Sequence, residues 1–171
     1  MKIRIRRSNK DDVNGIYDCH VNCFEQGDHW YKSSIKQFVD DSFVVEKIET
    51  NTIIGVLLQG TIIPCELSEI ENFIPCSPEG EFFIENKLHL KDNYGIAMIC
   101  VAPECRGKGI ATKLIQLHFE ENKNKNLCLN SRASNKAIEL YKRLGYQHIV
   151  TVKNKYYFPA EDSFFMIKNS F

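Results

Sequence analysis

The segment Ile99-Cys100-Val101-Ala102-Pro103-Glu104-Cys105-Arg106-Gly107-Lys108-Gly109-Ile110-Ala111 constrains this chain more than any other. An apolar run with strand character ends at Pro103, a short polar turn follows, and an amphipathic helical pattern then continues to about Glu121. The first turn of such a helix has backbone N–H groups without intrahelical partners and carries the positive end of the macrodipole, so it stabilises a docked anion on both counts. Gly107 and Gly109 let a ligand approach the backbone and permit unusual φ values, while Arg106 and Lys108 add cationic donors. A diphosphate suits these features. Taken alone, the segment also reads as an ordinary exposed basic turn. Neither G-x-x-x-x-G-K-[ST] nor G-x-G-x-x-G is present, so the phosphate ligand, if there is one, is of another kind.

A chain of 171 residues suits a single domain, 1–171, with a sizeable core. Twenty-two basic and 22 acidic residues cancel, which removes any global electrostatic case for nucleic acid or an anionic membrane. There is no long apolar run, and Met1-Lys2-Ile3-Arg4-Ile5-Arg6-Arg7 alternates charge with isoleucine, so a soluble, cytoplasmic protein is expected. Seven scattered cysteines fit reduced, mostly buried thiols. Cys19-x-x-x-Cys23, Cys65 and Cys76 include no C-x-x-C pair, so no metal site is expected, and Cys100 and Cys105 read as packing and turn residues.

Along the chain, Ile3 and Ile5 mark a first strand. Ser8 or Asn9 caps a helix built on Val13, Ile16, Tyr17, Val21 and Phe24, and a second short helix starts near Ser33. Residues 42–48 and 53–59 form a hairpin. Residues 61–93 read as an insertion broken by Pro64, Pro75, Pro78 and Gly80, with a regular element only within 81–90. Residues 94–102 form the strand before the glycine turn, and the following helix buries Ile110, Leu114, Leu117 and either Ile115 or His118. A strand over 127–131 and a helix over 135–144, capped by Gly145, come next. Strands over 146–153 and 163–169 end the chain, separated by a loop containing Tyr156 and Tyr157. This order, β-α-α-β-β-β-α-β-α-β-β, predicts an α+β chain with a mixed sheet and helices on both faces.

Arg106-Gly107-Lys108-Gly109-Ile110-Ala111 resembles the R/Q-x-x-G-x-G/A signature of the GNAT acyl-CoA acyltransferases, and Asn135 to Tyr146 resembles their Asn…Ala…Tyr…Gly-aromatic helix. The likeness spans residues 3–169 except the insertion, and implies the GNAT fold with a mostly antiparallel sheet. Arg132-Ala133-Ser134-Asn135, Lys155-Tyr156-Tyr157 and Glu161-Asp162 further resemble the protein N-terminal acetyltransferases, including those acting on ribosomal proteins.

The resemblance implies acetyl-CoA as cofactor and direct acetyl transfer to a primary amine, with a protein or peptide N-terminus favoured and an auxiliary subunit compatible. The backbone of Ile99, Cys100 and Val101 would line the pantetheine, and Arg106 to Ala111 would hold the diphosphate. Asn135 would meet the pantetheine, and Tyr141 would protonate the departing thiolate. Phe24, Tyr31, Tyr156 and Tyr157 would line the acceptor site. On the residues alone, Tyr141 also reads as a core tyrosine and the Tyr156-Tyr157 pair as loop packing.

Two departures matter. Tyr141 lies six positions after Asn135 where relatives usually have seven, which leaves Ser134 as an alternative occupant of the asparagine's place. The position where relatives often carry a Glu or His base holds Asn130, whose amide takes no proton at neutral pH, although it can hold a relaying water. An α-amine, with a reference pKa of about 7.7–8.0, is far more often neutral than a lysine at about 10.4, so a missing base favours an N-terminal acceptor. His89 or Glu81 would serve as the base if the insertion folds back. The alternatives are a small-amine acetyltransferase, with Glu66, Glu69, Glu71, Glu79, Glu81 and Glu85 attracting a cationic acceptor, and a non-catalytic acyl-CoA-binding module.

Overall fold

The structure is a computed structural model that describes residues 1–24, 30–62, 72–86, 93–157 and 160–168, with backbone only at 156 and 157. Among the described residues there are eight strands, β1 Ile3–Arg7, β2 Phe43–Lys47, β3 Thr52–Ile62, β4 Phe73–Pro75, β5 Asn93–Val101, β6 Leu127–Arg132, β7 Gln147–Tyr157 and β8 Ala160–Lys168, and five α-helices. These are α1 Val13–Cys23, α2 Lys32–Phe38, α3 Pro78–Glu85, α4 Ile110–Glu121 and α5 Ile138–Arg143. The expected α+β class and largely antiparallel pairing are observed. Among the described residues, no helix is long and apolar enough to cross a membrane.

The chain forms two compact units. The first combines residues 1–60 and 96–122, with its strands ordered β1-β2-β3-β5. Asn9 starts its first helical segment through a capping box: the Asn9 side chain accepts from Asp11 N at 2.8 Å, and the Asp12 carboxylate accepts from Asn9 N at 2.8 Å. Ile16, Ile35, Val39, Val44, Val56 and Leu58 are fully buried in its core, with Met98 and Cys100 beside them. His118 of α4 is also fully buried and donates from Nδ1 to Gln59 Oε1 on β3, which fixes the helix against the strand. Leu117, expected in the core, is only half-buried; His118 takes that face.

The second unit, residues 61–95 and 123–171, has its strands ordered β6-β8-β7-β4 around Phe83, Cys128, Ile149, Val150, Val152 and Phe165. The 61–93 stretch carries more regular structure than its prolines suggest. Ser77 Oγ accepts from Gly80 N at 3.2 Å and Pro78 opens α3, so this helix starts before the expected 81–90 element and ends at Glu85. Phe73–Pro75 adds an edge strand to β7, where Pro75 at the strand end withholds a donor from an unpaired edge.

A Cβ on Gly80 would lie 2.0 Å from the Ile149 carbonyl oxygen, a backbone atom that cannot swing aside. Helix propensity alone would favour alanine here by about 1 kcal/mol. The contact reverses the sign: Gly80→Ala should destabilise the protein by about 2 kcal/mol, read as a lower urea midpoint at unchanged m.

Candidate functional site

In the first unit, β5 delivers the chain into the glycine turn through an unforeseen 3-10 turn, Pro103–Cys105, with Cys105 N on Ala102 O at 2.8 Å and Arg106 N on Pro103 O at 3.2 Å. Gly107 and Gly109 then take φ of +74° and +75°, and Gly109 is the residue from which α4 starts. An L side chain would be strained there by about 1–2 kcal/mol, which is why both positions are glycine. Among the described residues, a Cβ at either meets nothing within 4 Å.

The first helical bond of α4 is Lys113 N to Gly109 O at 3.1 Å. Among the described residues, the six backbone N–H groups from Gly107 to Thr112 donate to no acceptor of the chain. Successive unpaired donors at a helix start favour an anion. The side chains expected to help are engaged locally: Arg106 Nε donates to Val101 O at 3.0 Å and Nη2 to Cys23 O at 3.3 Å, while Lys108 Nζ donates to Glu104 O at 3.1 Å. The two cations therefore fix the turn and leave anion contact to the backbone. Ile99 is half-buried, while Cys100, Val101 and Ile110 are buried. Phe24 sits half-buried with its ring 4.8 Å from that of His20, and Tyr31 is 79% exposed.

In the second unit, Asn130 lies on β6 opposite Phe165, and its Oδ1 is buried without a hydrogen-bond partner among the described residues. An amide oxygen desolvated in this way calls for a donor such as a bound water. Beyond β6 the chain turns on Glu161, whose carboxylate accepts from Ser134 N and from Arg132 Nη1 at 3.4 Å. Partial burial would raise the Glu161 pKa, but the hydrogen bonds from Ser134, side chain and backbone, and from Arg132 hold it below the usual carboxylate range.

Asn135 spends its side-chain oxygen on Ala137 N at 2.9 Å, and Ile138 N bonds Asn135 O at 3.0 Å. The Asn135 carbonyl is thus closed by Ile138 N in a tight i to i+3 turn instead of an α-helical bond, and α5 begins only at Ile138, later than the expected 135–144 helix. The helix ends as foreseen at Gly145. That residue has φ of +93°, with Gly145 N on Lys142 O and Tyr146 N on Tyr141 O, both at 3.0 Å, the Schellman pattern. Tyr141 is 5% exposed and packs edge-on to Tyr146 at 6.1 Å between ring centroids. Burial pushes the Tyr146 phenol far above its ordinary pKa.

The Tyr156-Tyr157 loop needs correction. The last hairpin is longer than expected, and both residues belong to the backbone of β7, opposite Glu161 and Ala160. The strand continues because the break expected at Asn154 is absorbed as an irregularity: Asn154 adopts φ of +52° and its N–H donates to Asp162 Oδ1 at 3.1 Å, while Lys153 Nζ meets Oδ2 at 2.6 Å.

Of the acidic residues considered for a cationic acceptor, Glu79, Glu81 and Glu85 are exposed on α3; Glu66, Glu69, Glu71 and the alternative base His89 lie outside the described residues, as does Cys65. Sequence reasoning missed one cluster. Cys19, Cys23 and Cys100 bring their sulfurs within 4.8 Å of one another. The i, i+4 spacing of the first two was visible, but the third comes from a strand about 80 residues away.

Residues 76–148 match the family model described as the acetyltransferase (GNAT) domain. Among solved structures, the ribosomal-protein-S18-alanine N-acetyltransferase from Escherichia coli aligns at 16% identity over 99% of this chain and 94% of its own, with a TM-score of 0.71. The NAA60 of Arabidopsis thaliana in complex with acetyl-CoA aligns at 18% identity over 97% and 98%, with a TM-score of 0.72. The loading GNATL domain of CurA from Lyngbya majuscula aligns at 8% identity over 99% and 98%, with a TM-score of 0.73. The fold is therefore that of these proteins. No curated protein matches the chain by sequence.

Proposed function

We propose, from the premise that the chain carries a GNAT acetyltransferase domain, that it transfers acetyl from acetyl-CoA directly to the N-terminal α-amine of a protein or peptide. The observation that carries this reading is the run of unpaired N–H groups from Gly107 to Thr112 at the start of α4, a backbone cradle suited to a diphosphate. Likeness in fold to an enzyme named for a ribosomal-protein alanine, and to one bound to acetyl-CoA, favours the cofactor and the acceptor class.

The chain's residues then divide the work. Ile99 to Val101 offer backbone groups to the pantetheine. Asn135, whose oxygen is committed to Ala137, offers its side-chain NH2, while the Ser134 hydroxyl bonds Glu161, so Asn135 is the better pantetheine contact. The amine nitrogen forms a bond to the acetyl carbon as the C–S bond breaks. The sulfur leaves as thiolate and takes a proton from the Tyr141 hydroxyl, which regains one from solvent before the next turnover. The proton lost by the amine passes to a water held at Asn130 Oδ1, the buried acceptor in need of a donor. Phe24, Tyr31, Tyr156 and Tyr157 contact the acceptor peptide.

Two measurements test this. Acetyl-CoA titration should show saturable binding that Gly109→Val weakens about tenfold, because the left-handed backbone is strained by about 1–2 kcal/mol and a side chain is added at the turn. A peptide array with labelled acetyl-CoA should label free N-termini. Label confined to internal lysines or to free polyamines would reject the N-terminal acceptor, and binding without release of free thiol would reject catalysis.

A further inference from the structure

We infer that Cys19, Cys23 and Cys100 form a binding site for one soft, thiophilic cation, monovalent copper or zinc. Cys19 and Cys23 stand one turn apart on the last turns of α1, and Cys100 reaches them from β5. The Cys19 and Cys100 sulfurs are 4.0 Å apart, and all three lie within 4.8 Å of one another. A metal centre about 2.3 Å from each of three thiolates places the sulfurs about 4.0 Å apart in a plane, so the trio needs to contract by less than an ångström. Cys19 and Cys100 are 4% and 6% exposed and Cys23 is half-buried, so an ion would enter past Cys23.

The donor set selects the ion. Three sulfurs with no carboxylate among them exclude magnesium and calcium, which take oxygen. Monovalent copper accepts three thiolates without a fourth ligand, whereas zinc completes a tetrahedron with a water on the Cys23 side. The charge is partly offset on the spot: the Arg106 guanidinium donates to the Cys23 carbonyl at 3.3 Å. Binding forms three sulfur–metal bonds and breaks the S–H bonds of the thiols, whose protons pass to solvent with no change of oxidation state. A bound ion would tie α1 to the strand that leads into the glycine turn.

The test uses the whole reduced protein under anaerobic conditions, titrated separately with acetonitrile-complexed Cu(I) and with Zn²⁺ against chromogenic chelators. One equivalent should bind, with protons released to solvent as the thiols ionise. Mass mapping after N-ethylmaleimide should show half-buried Cys23 reacting in the metal-free protein and shielded once the ion is added, while exposed Cys76 reacts in both. This wild-type readout does not depend on variants folding. Cys100→Ala should lose more than the roughly 10- to 100-fold that an outer-shell partner costs, and Cys76→Ser should bind unchanged. Shielding by Cu(I) alone identifies a trigonal site and by Zn²⁺ alone a tetrahedral one, and either supports the inference. Binding of neither ion, or binding that Cys76→Ser abolishes, overturns it. Acetyl-CoA binding is read independently and can fail or succeed without deciding this result.

Discussion

Tyr141→Phe should lower kcat by about 10²- to 10³-fold while leaving the KM for acetyl-CoA within about twofold. The substitution removes one oxygen from a side chain 5% exposed and keeps its ring against Tyr146, so packing on α5 survives. On the proposed mechanism, what is lost is a proton donor to the leaving sulfur. A phenol of reference pKa about 10 stabilises a developing thiolate of about 8.5 by a strong hydrogen bond, and that interaction exists only as the C–S bond breaks. The signature is therefore a dependence on leaving group. With an acetyl aryl thioester, whose thiolate departs unaided, the loss should shrink to about tenfold or less. An equal loss with both thioesters would make Tyr141 a packing residue.

Backbone-determined features were the legible ones. Gly107, Gly109 and Gly145 announced left-handed positions because few other residues occupy them, and all three have positive φ. The apolar periods of α1 and α4 located those helices to within a few residues. The errors fall where a side chain competes with the backbone or where a distant strand supplies the partner. Asn135 looked like the first residue of a helix, yet its side-chain oxygen takes Ala137 N and a tight turn on its backbone carbonyl delays the helix to Ile138. Asn154 looked like a strand breaker, but Asp162 across the hairpin accepts its N–H and carries β7 through to Tyr157. Phe73–Pro75 is too short to register as a strand without β7 beside it. The donors of the glycine turn were foreseen in kind, but local spacing could not reveal that Arg106 and Lys108 are committed to carbonyls of Val101, Cys23 and Glu104.

The largest loss of stability is expected from Arg6→Met. Arg6 projects from β1 and joins two carboxylates: Nη1 and Nη2 fork onto Asp12 at 2.8 and 2.6 Å, while Nε and Nη2 bond Glu46, the former at 2.7 Å. Arg4 adds a second donor to Glu46 at 2.6 Å but is itself 59% exposed. The carboxylate side chains of Asp12 and Glu46 are only 9% and 7% exposed, so removing Arg6 leaves Asp12 without its cation and Glu46 with Arg4 alone, where water is scarce. Losing one partner of such a buried pair costs about 3 kcal/mol or more, well above a surface ion pair at under about 1 kcal/mol. Methionine keeps the length of the apolar stem, so the loss reports charge more than packing. The pH dependence identifies the cause. Hydrogen bonds from Arg6 hold both carboxyls below their ordinary pKa values. Their contribution is therefore complete above the unfolded values of about 4 and disappears as pH falls through the lower folded ones. The wild type should lose stability as pH falls below about 4, while in Arg6→Met the Asp12 carboxylate gains relief on protonation. Urea midpoints should accordingly differ most near pH 7 and draw together as pH falls below about 4; a gap that stays constant with pH would assign the loss to packing of the arginine stem.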